Sequence, residues 1–142
     1  MKTLMRYLLA VALLVAGAAT MRGQVLRDAD FNSIGRINTN GVVRDADSRS
    51  LGEFEADGTV KDRSGAVRGK IVRLEIFDPS GTVRVGYISN NGEVRDGESN
   101  LVGTVSLGDG KVTDAEKKTI GFARGVRVDW IACYYFFHFF DK

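Results

Sequence analysis

The chain has 142 residues with a formal net charge of +2 from interspersed acidic and basic residues, which leaves no electrostatic footprint for nucleic acid. Its length suits one small domain. A single cysteine, Cys133, excludes an internal disulfide, and 17 glycines against one proline direct attention to turns.

Residues 1 to 24 read as a secretory signal peptide. Lys2 and Arg6 supply a positive start, Leu8 to Ala16 an apolar run, and Ala16-Gly17-Ala18 small residues for cleavage. The rival reading is a retained membrane anchor, but the run is short for a bilayer. No cysteine follows it, which argues against lipid attachment. All 18 acidic residues lie after Gln24, and three of the 20 basic ones (Lys2, Arg6, Arg22) lie before it. Removal therefore leaves 17 basic against 18 acidic residues, a net charge near −1.

Residues 25 to 128 form a β-repeat domain, and its unit is clearest from Val43 to Gly58. A Val-basic-Asp triplet is followed by a polar loop, an apolar residue, Gly, one variable residue, an apolar residue and a turn ending in Gly. The first glycine recurs at Gly35, Gly52, Gly69, Gly86, Gly103 and Gly121, at intervals of 17 residues and finally 18. Two positions later stand Ile37, Phe54, Ile71, Ile88, Val105 and Ala123. Seven positions earlier stand Asp28, Asp45, Asp62, Pro79, Asp96 and Asp114, a series that only Pro79 breaks. A fixed period over this many copies marks a repeat architecture.

Each unit reads as a β-hairpin. Asn40-Gly41, Asp57-Gly58, Asn91-Gly92 and Asp109-Gly110 are dipeptides favoured where both central residues of a tight turn need positive φ. The third unit is expected to run Gly69 to Phe77, turn at Asp78-Pro79-Ser80-Gly81, and return over Thr82 to Val85. That makes five hairpins, with Val25–Asp28 before them and Thr119–Val128 after. Single hairpins are marginal in water, so five are expected to pack radially around a common centre. The repeated glycine then serves close approach of another backbone.

Residues 129 to 142 end the chain with an aromatic segment. From Trp130 to Phe140 it has no alternation, so it is predicted to be a helix capped by Asp129. A helix apolar all round is buried or in lipid, and this one is too short to span a membrane. It is expected to pack against the hairpins, with Trp130, Tyr134 and Phe137 as core aromatics. The rival arrangement is an exposed end that touches a membrane or a partner.

Five hairpins with an apolar-Gly-x-apolar … (Asn/Asp)-Gly-x-Val-(Arg/Lys)-Asp pattern, an export signal and an aromatic C-terminus resemble the secreted five-fold β-flower proteins of Bacteroidetes. The resemblance covers nearly all of the expected mature chain. It implies a radial, all-β arrangement of antiparallel hairpins with a short aromatic C-terminal helix, and it carries no activity. MORN-type hairpin arrays share the glycine spacing but not the terminal segment.

The residues offer little chemistry. The repeated Asp28, Asp45, Asp62, Asp96 and Asp114 could ring an ion such as Ca²⁺. Ligands of one ion cluster irregularly, however, whereas these recur once per unit. They are better read as loop caps, or as partners of Arg27, Arg44, Lys61 and Arg95. Cys133 and His138 would point about 140° apart on a helix. No nucleophile elbow or phosphate loop occurs. No catalytic residue, metal or cofactor is expected, and the chain is read as no enzyme. The expected function is an exported binding or structural module, periplasmic, outer-membrane-associated or extracellular, with an envelope protein or a glycan as partner. The alternative is a small carbohydrate-binding or hydrolytic protein with its site where the hairpins converge.

Overall fold

The computed structural model describes residues 24–141; the expected leader, apart from Gln24, lies outside the described residues. Twelve strands follow one another in the chain. They are β1 (Gln24–Asp28), β2 (Ser33–Ile37), β3 (Val42–Asp45), β4 (Ser50–Phe54), β5 (Thr59–Asp62) and β6 (Val67–Val72), then β7 (Glu75–Phe77), β8 (Arg84–Ile88), β9 (Glu93–Asp96), β10 (Leu101–Val105), β11 (Lys111–Asp114) and β12 (Thr119–Phe122). Each pairs antiparallel with its neighbours in sequence, and β1 pairs with β12, so the sheet closes into a barrel.

Twelve strands make six hairpins. Five are tight-turn hairpins, the number expected from the repeat. The sixth is assembled from the two flanking strands, which meet through Arg27 opposite Phe122 and Asp28 opposite Gly121. The units are radial as expected, and the closed circle leaves no free sheet edge among the described residues.

Alternation fixes what faces the lumen. Leu26, Val43, Val60, Ile76, Val94 and Val112, one on each odd strand, are fully buried. Each sits opposite a repeat glycine on the next even strand, as Val43 does opposite Gly52 and Val94 opposite Gly103. Ile37, Phe54, Ile71, Ile88, Val105 and Ala123 form a second buried ring nearer the tight turns. Each loop-connected pair of strands carries one register shift beside its glycine, such as that between Val43 and Arg44. Repeated six times, these bulges bend the sheet into the closed form.

The tight turns differ in detail from expectation. Gly41, Gly58, Gly92 and Gly110 have positive φ, between 74° and 96°, but the Asn or Asp before each does not. In the first turn Gly41 N–H donates to Asn38 O and Asn38 N–H to Val42 O. That is a type I turn closing on a glycine bulge, so positive φ is needed once, not twice. The Asn or Asp contributes through its side chain instead, as when Asp57 Oδ1 accepts from Thr59 N–H at 2.9 Å.

The third unit turns elsewhere. Its chain reverses through Arg73 and Leu74, with Val72 opposite Glu75, and not at 78–81. Arg73 takes φ 59° there. The stretch Asp78–Gly81 belongs to the following loop, which is one residue longer than the others because Asp78 N–H reaches Val83 O. The aspartate of this unit is therefore Asp78, following Ile76 and Phe77 just as Asp45 follows Val43 and Arg44. With that shift the Asp series is complete.

After β12 the chain enters the helix α1 (Val128–Tyr135), which is shorter than the Trp130–Phe140 span expected. Its N-cap is Arg127 with no side-chain cap bond, so Asp129 is not the cap. Asp129 lies in the first turn, buried, and binds the Arg127 guanidinium through both oxygens at 3.2 and 2.6 Å. The helix ends because each following aromatic is pulled toward a different wall. His138, at φ 56°, finally reverses the chain.

Candidate functional site

The lumen is filled from within. Ile131, Ala132 and Cys133 of α1 are fully buried and belong to the same core as the wall residues. Burial, reinforced by the nearby Asp129 carboxylate, pushes the Cys133 thiol well above its ordinary pKa, so it stays protonated and unreactive while folded.

From the last turn of α1 onward the chain makes one circuit of the wall. Tyr134 faces Gly35, Tyr135 Gly121, Phe136 Gly103, Phe137 Gly86, Phe139 Gly69 and Phe140 Gly52. In strand order the aromatics visit β2, β12, β10, β8, β6 and β4. A Cβ on Gly69 would stand 2.6 Å from Phe139 Cζ, and one on Gly52 2.9 Å from Phe140 Cε1. On Gly86, Gly103 or Gly121 it would overlap the facing ring outright. The contact at Gly35 is looser, with the Tyr134 hydroxyl at 3.5 Å. At all six positions the Cβ would also crowd a carbonyl of the neighbouring strand. The glycines thus serve a close approach, as read from the sequence, but what approaches includes a ring as well as a backbone.

Of the three aromatics singled out from the sequence, Tyr134 and Phe137 each oppose a glycine. Trp130 does something different: it stacks on Phe54, with ring centroids 5.0 Å apart and planes 8° from parallel. All three are half-buried against the core. Tyr135, Phe136, Phe139 and Phe140 were not singled out, and their signal was numerical. With Trp130 and His138 set aside, the tail holds as many aromatics as the wall holds repeat glycines. Tyr135 also donates its phenol to Arg27 O at 2.7 Å, on the strand that closes the barrel. Burial is the main cause that raises its pKa far above the usual tyrosine value. Outside the same seam, Phe31 meets Phe122 edge-on at 5.2 Å.

The repeated aspartates ring the opposite rim from the tight turns, and each is occupied in its own loop. Asp45 Oδ1 accepts from Asp47 N–H and Arg49 N–H, both at 2.9 Å. Asp28, Asp62, Asp96 and Asp114 bind the equivalent donors at i+2 and i+4. The Ser64 hydroxyl holds the Asp62 carboxyl below the ordinary carboxylate range, and the Asn100 backbone N–H holds Asp96 below it. The basic residues expected as partners do not pair with these aspartates, although Arg68 reaches Asp62 at 3.9 Å. Arg27, Arg44 and Arg95 each cap the loop carbonyl four residues on at 3.0 Å, and Lys61 pairs with Glu55 at 2.6 Å. Among the described residues no group of three or more His, Cys, Asp and Glu side chains is placed to hold a metal ion. Exposed His138 pairs with Asp141 at 3.0 Å, well apart in role from buried Cys133.

The hairpin-turn rim offers open clefts around the start of α1. The one between the second and third turns has a volume of about 310 Å³, with Glu55, Asp57, Arg73, Arg127 and Trp130 around a floor formed by Phe54. A wall of glycine-marked hairpins closed around an aromatic plug defines a class of repeat barrel with a filled centre. The model of the 5-fold beta-flower protein family matches residues 23–139, and the chain belongs to that family. No curated protein and no solved structure matches it. Among the described residues no helix is long and apolar enough to cross a membrane.

Proposed function

We propose that the protein is an exported, non-catalytic binding or structural module of the cell envelope. The observation that carries this reading is the plugged lumen. Where the hairpins converge, the space is taken by Ile131, Ala132, Cys133 and the aromatic tail. A hydrolytic site at that place would need an open cavity with convergent polar groups. What the fold presents instead is two rims of short loops on a stiff barrel, an arrangement suited to contact with a partner. Membership of the β-flower family fits such a module. Export rests on the reading of residues 1 to 24 as a signal peptide. The partner is an envelope protein or a glycan.

The test combines fractionation with capture. The full-length gene is expressed with a C-terminal tag in its own host, and the mature N-terminus is sequenced. An N-terminus between residues 19 and 25, with one envelope component retained on the tagged protein, supports the reading. An intact Met1 on the mature chain, or turnover of a glycan substrate by the purified protein, overturns it.

A further inference from the structure

We propose that the outer wall from β11 through the seam to β3 docks an acidic segment of a partner protein, with an apolar side chain of that segment seated in the cleft over the seam. This deepens the reading of the protein as a binding module and rests on it.

Charge is divided unevenly around a wall whose backbone repeats. The wall's ion pairs, Lys61 with Glu55, Arg68 with Asp62, Arg84 with Glu75 and Arg95 with Glu93, all lie between β4 and β9. The other half, from β10 through β12 and β1 to β3, turns Lys111, Arg27, Arg36 and Arg44 outward. The carboxylates of those six strands are Asp28, Asp45 and Asp114 alone, which end their strands at the rim and are tied to loop N–H groups. Asp30, Asp47 and Glu116 stand beyond them in the loops, not on the wall. Among the described residues no carboxylate pairs with any of the four outward cations.

One cross-strand pair in the bare half works against the fold. The residue after each repeat glycine faces outward, opposite the residue before a loop aspartate. Around the wall these pairs are Glu53 with Lys61, Lys70 with Phe77, Tyr87 with Arg95, Thr104 with Thr113, Phe122 with Arg27, and Arg36 with Arg44. Only the last sets like charge against like, and like charges directly opposite weaken a sheet. The repeat itself has no need of that pair, since its other copies fill the place with complementary or neutral residues. Two adjacent guanidiniums without a carboxylate suit an acidic partner, whose oxygens accept from both and relieve the repulsion.

The seam beside it supplies an anchor point. The sixth hairpin has no connecting turn, since its strands are β1 and β12. In the first and fourth hairpins the N–H after the even strand closes on the odd strand, Asn38 to Val42 O and Ser89 to Glu93 O, each at 2.9 Å. Among the described residues no backbone bond joins Arg124 to Val25 in the same way. A cleft of about 610 Å³ opens there on the outside, lined by Val25, Phe31 and Phe122 with Arg27 and Arg124 beside them. Asp109 also lines it, but its carboxylate serves its own turn by accepting from Lys111 N–H at 3.1 Å. Arginines around an apolar and aromatic pocket are the composition enriched in protein interfaces. Val25 and Phe122 are half-buried, and Arg27 lies over the Phe31 ring at 4.4 Å. The apolar lining is thus reached between arginines, which admits a side chain, whereas a bilayer needs apolar groups that stand out.

The probes are a fluorescein-labelled peptide of glutamates and aspartates around a central Leu-Phe pair, the same peptide with Ser-Gly at its centre, phosphatidylglycerol vesicles, and polygalacturonate. The expected result is a saturable rise in anisotropy with the first peptide, reduced by added salt and by the Ser-Gly exchange. Arg36→Glu should weaken binding of that peptide about tenfold. It should do so while keeping or raising the melting temperature, because a complementary pair replaces a repulsive one. Phe31→Ser, which copies Ser48 and Ser99 of the other loops, should weaken binding about threefold. Arg84→Gln, in the ion-paired half, should bind as the parent does. Unchanged affinity in Arg36→Glu, an equal loss in Arg84→Gln, no binding of the first peptide, or binding of the vesicles or of polygalacturonate in its place overturns the proposal. In those cases an envelope component still retained on the tagged protein leaves the module reading standing, and its absence removes both.

Discussion

The wall and the plug are built on opposite plans. The wall says the same thing six times, with Val or an equivalent, Gly, an apolar residue, a turn and an aspartate-capped loop in each unit. The plug says one thing once, in eight residues of helix and a run of aromatics without internal repetition. Yet the two are complementary position by position, since Tyr134, Tyr135, Phe136, Phe137, Phe139 and Phe140 each find one glycine. The comparison teaches that a symmetric shell can be completed by an asymmetric filler, provided the filler is laid down along the circumference.

The largest effect should come from removing the filler. Deletion of residues 129–142 exposes the two apolar rings of the lumen and leaves six glycine-lined gaps. Typical domain stability is about 5–15 kcal/mol, and the loss should exceed it. The truncated protein should aggregate or lose its β-sheet circular dichroism. If it stays monomeric with an unchanged melting point, the tail is an appendage and the complementarity is incidental.

A smaller and more local effect should follow from spoiling one pairing. Gly86→Ala drives a methyl into the Phe137 ring and against Arg95 O, and should cost about 3 kcal/mol by denaturant unfolding. Gly108→Ala is the control. It has free space around it and no positive φ, so it should stay within about 0.5 kcal/mol. Equal costs at the two sites would mean that the glycines matter for chain flexibility and not for the rings.

The seam between β1 and β12 should respond less. Tyr135→Phe removes the bond to Arg27 O and should cost about 1 kcal/mol. Tyr135 also sets a pH dependence. Its folded pKa is raised, so its contribution is full below the unfolded tyrosine value of about 10 and is lost as pH rises above it. Denaturant midpoints of the parent should fall above pH 10 more steeply than those of Tyr135→Phe.

The wall's loops should show the mildest dependence, at the other end of the scale. The Asp62, Asp78 and Asp96 pKa values are lowered in the folded state by their loop bonds. Their contribution is present above the unfolded carboxylate value of about 3.9 and lost as pH falls through the lower folded values. Asp96→Asn should therefore reduce the melting temperature slightly at pH 7 and flatten its decline below pH 4.

The same contrast explains what could be read from the residues. The wall was legible because Gly35 through Gly121 repeat one geometric need at a fixed interval. The reading failed where local chemistry and geometry parted. Asp78-Pro79-Ser80-Gly81 has every sign of a hairpin turn but is a loop, while the real turn at Arg73-Leu74 carries no turn residue at all. Pro79 seemed to break the aspartate series because one inserted residue displaced Asp78 from its place in the count. The plug was legible only as something buried. Which ring meets which glycine depends on closure of the barrel, a contact between residues far apart in sequence. The halt of the helix after Tyr135 follows from those same contacts and from no capping signal. The expected ion-pair partners of the aspartates were misplaced for a related reason: Arg27, Arg44 and Arg95 were near them in sequence, but the loop carbonyls were nearer in space.

The one-to-one pairing of tail and wall also fixes the size of the molecule. Open repeat arrays grow or shrink by whole units, because each unit answers only to its neighbours. Here a duplicated hairpin would bring a glycine that no ring fills, and a lost hairpin would leave a ring without a berth. The aromatic tail acts as a tally of the hairpins, so changes in repeat number must be matched by changes of single residues in the tail.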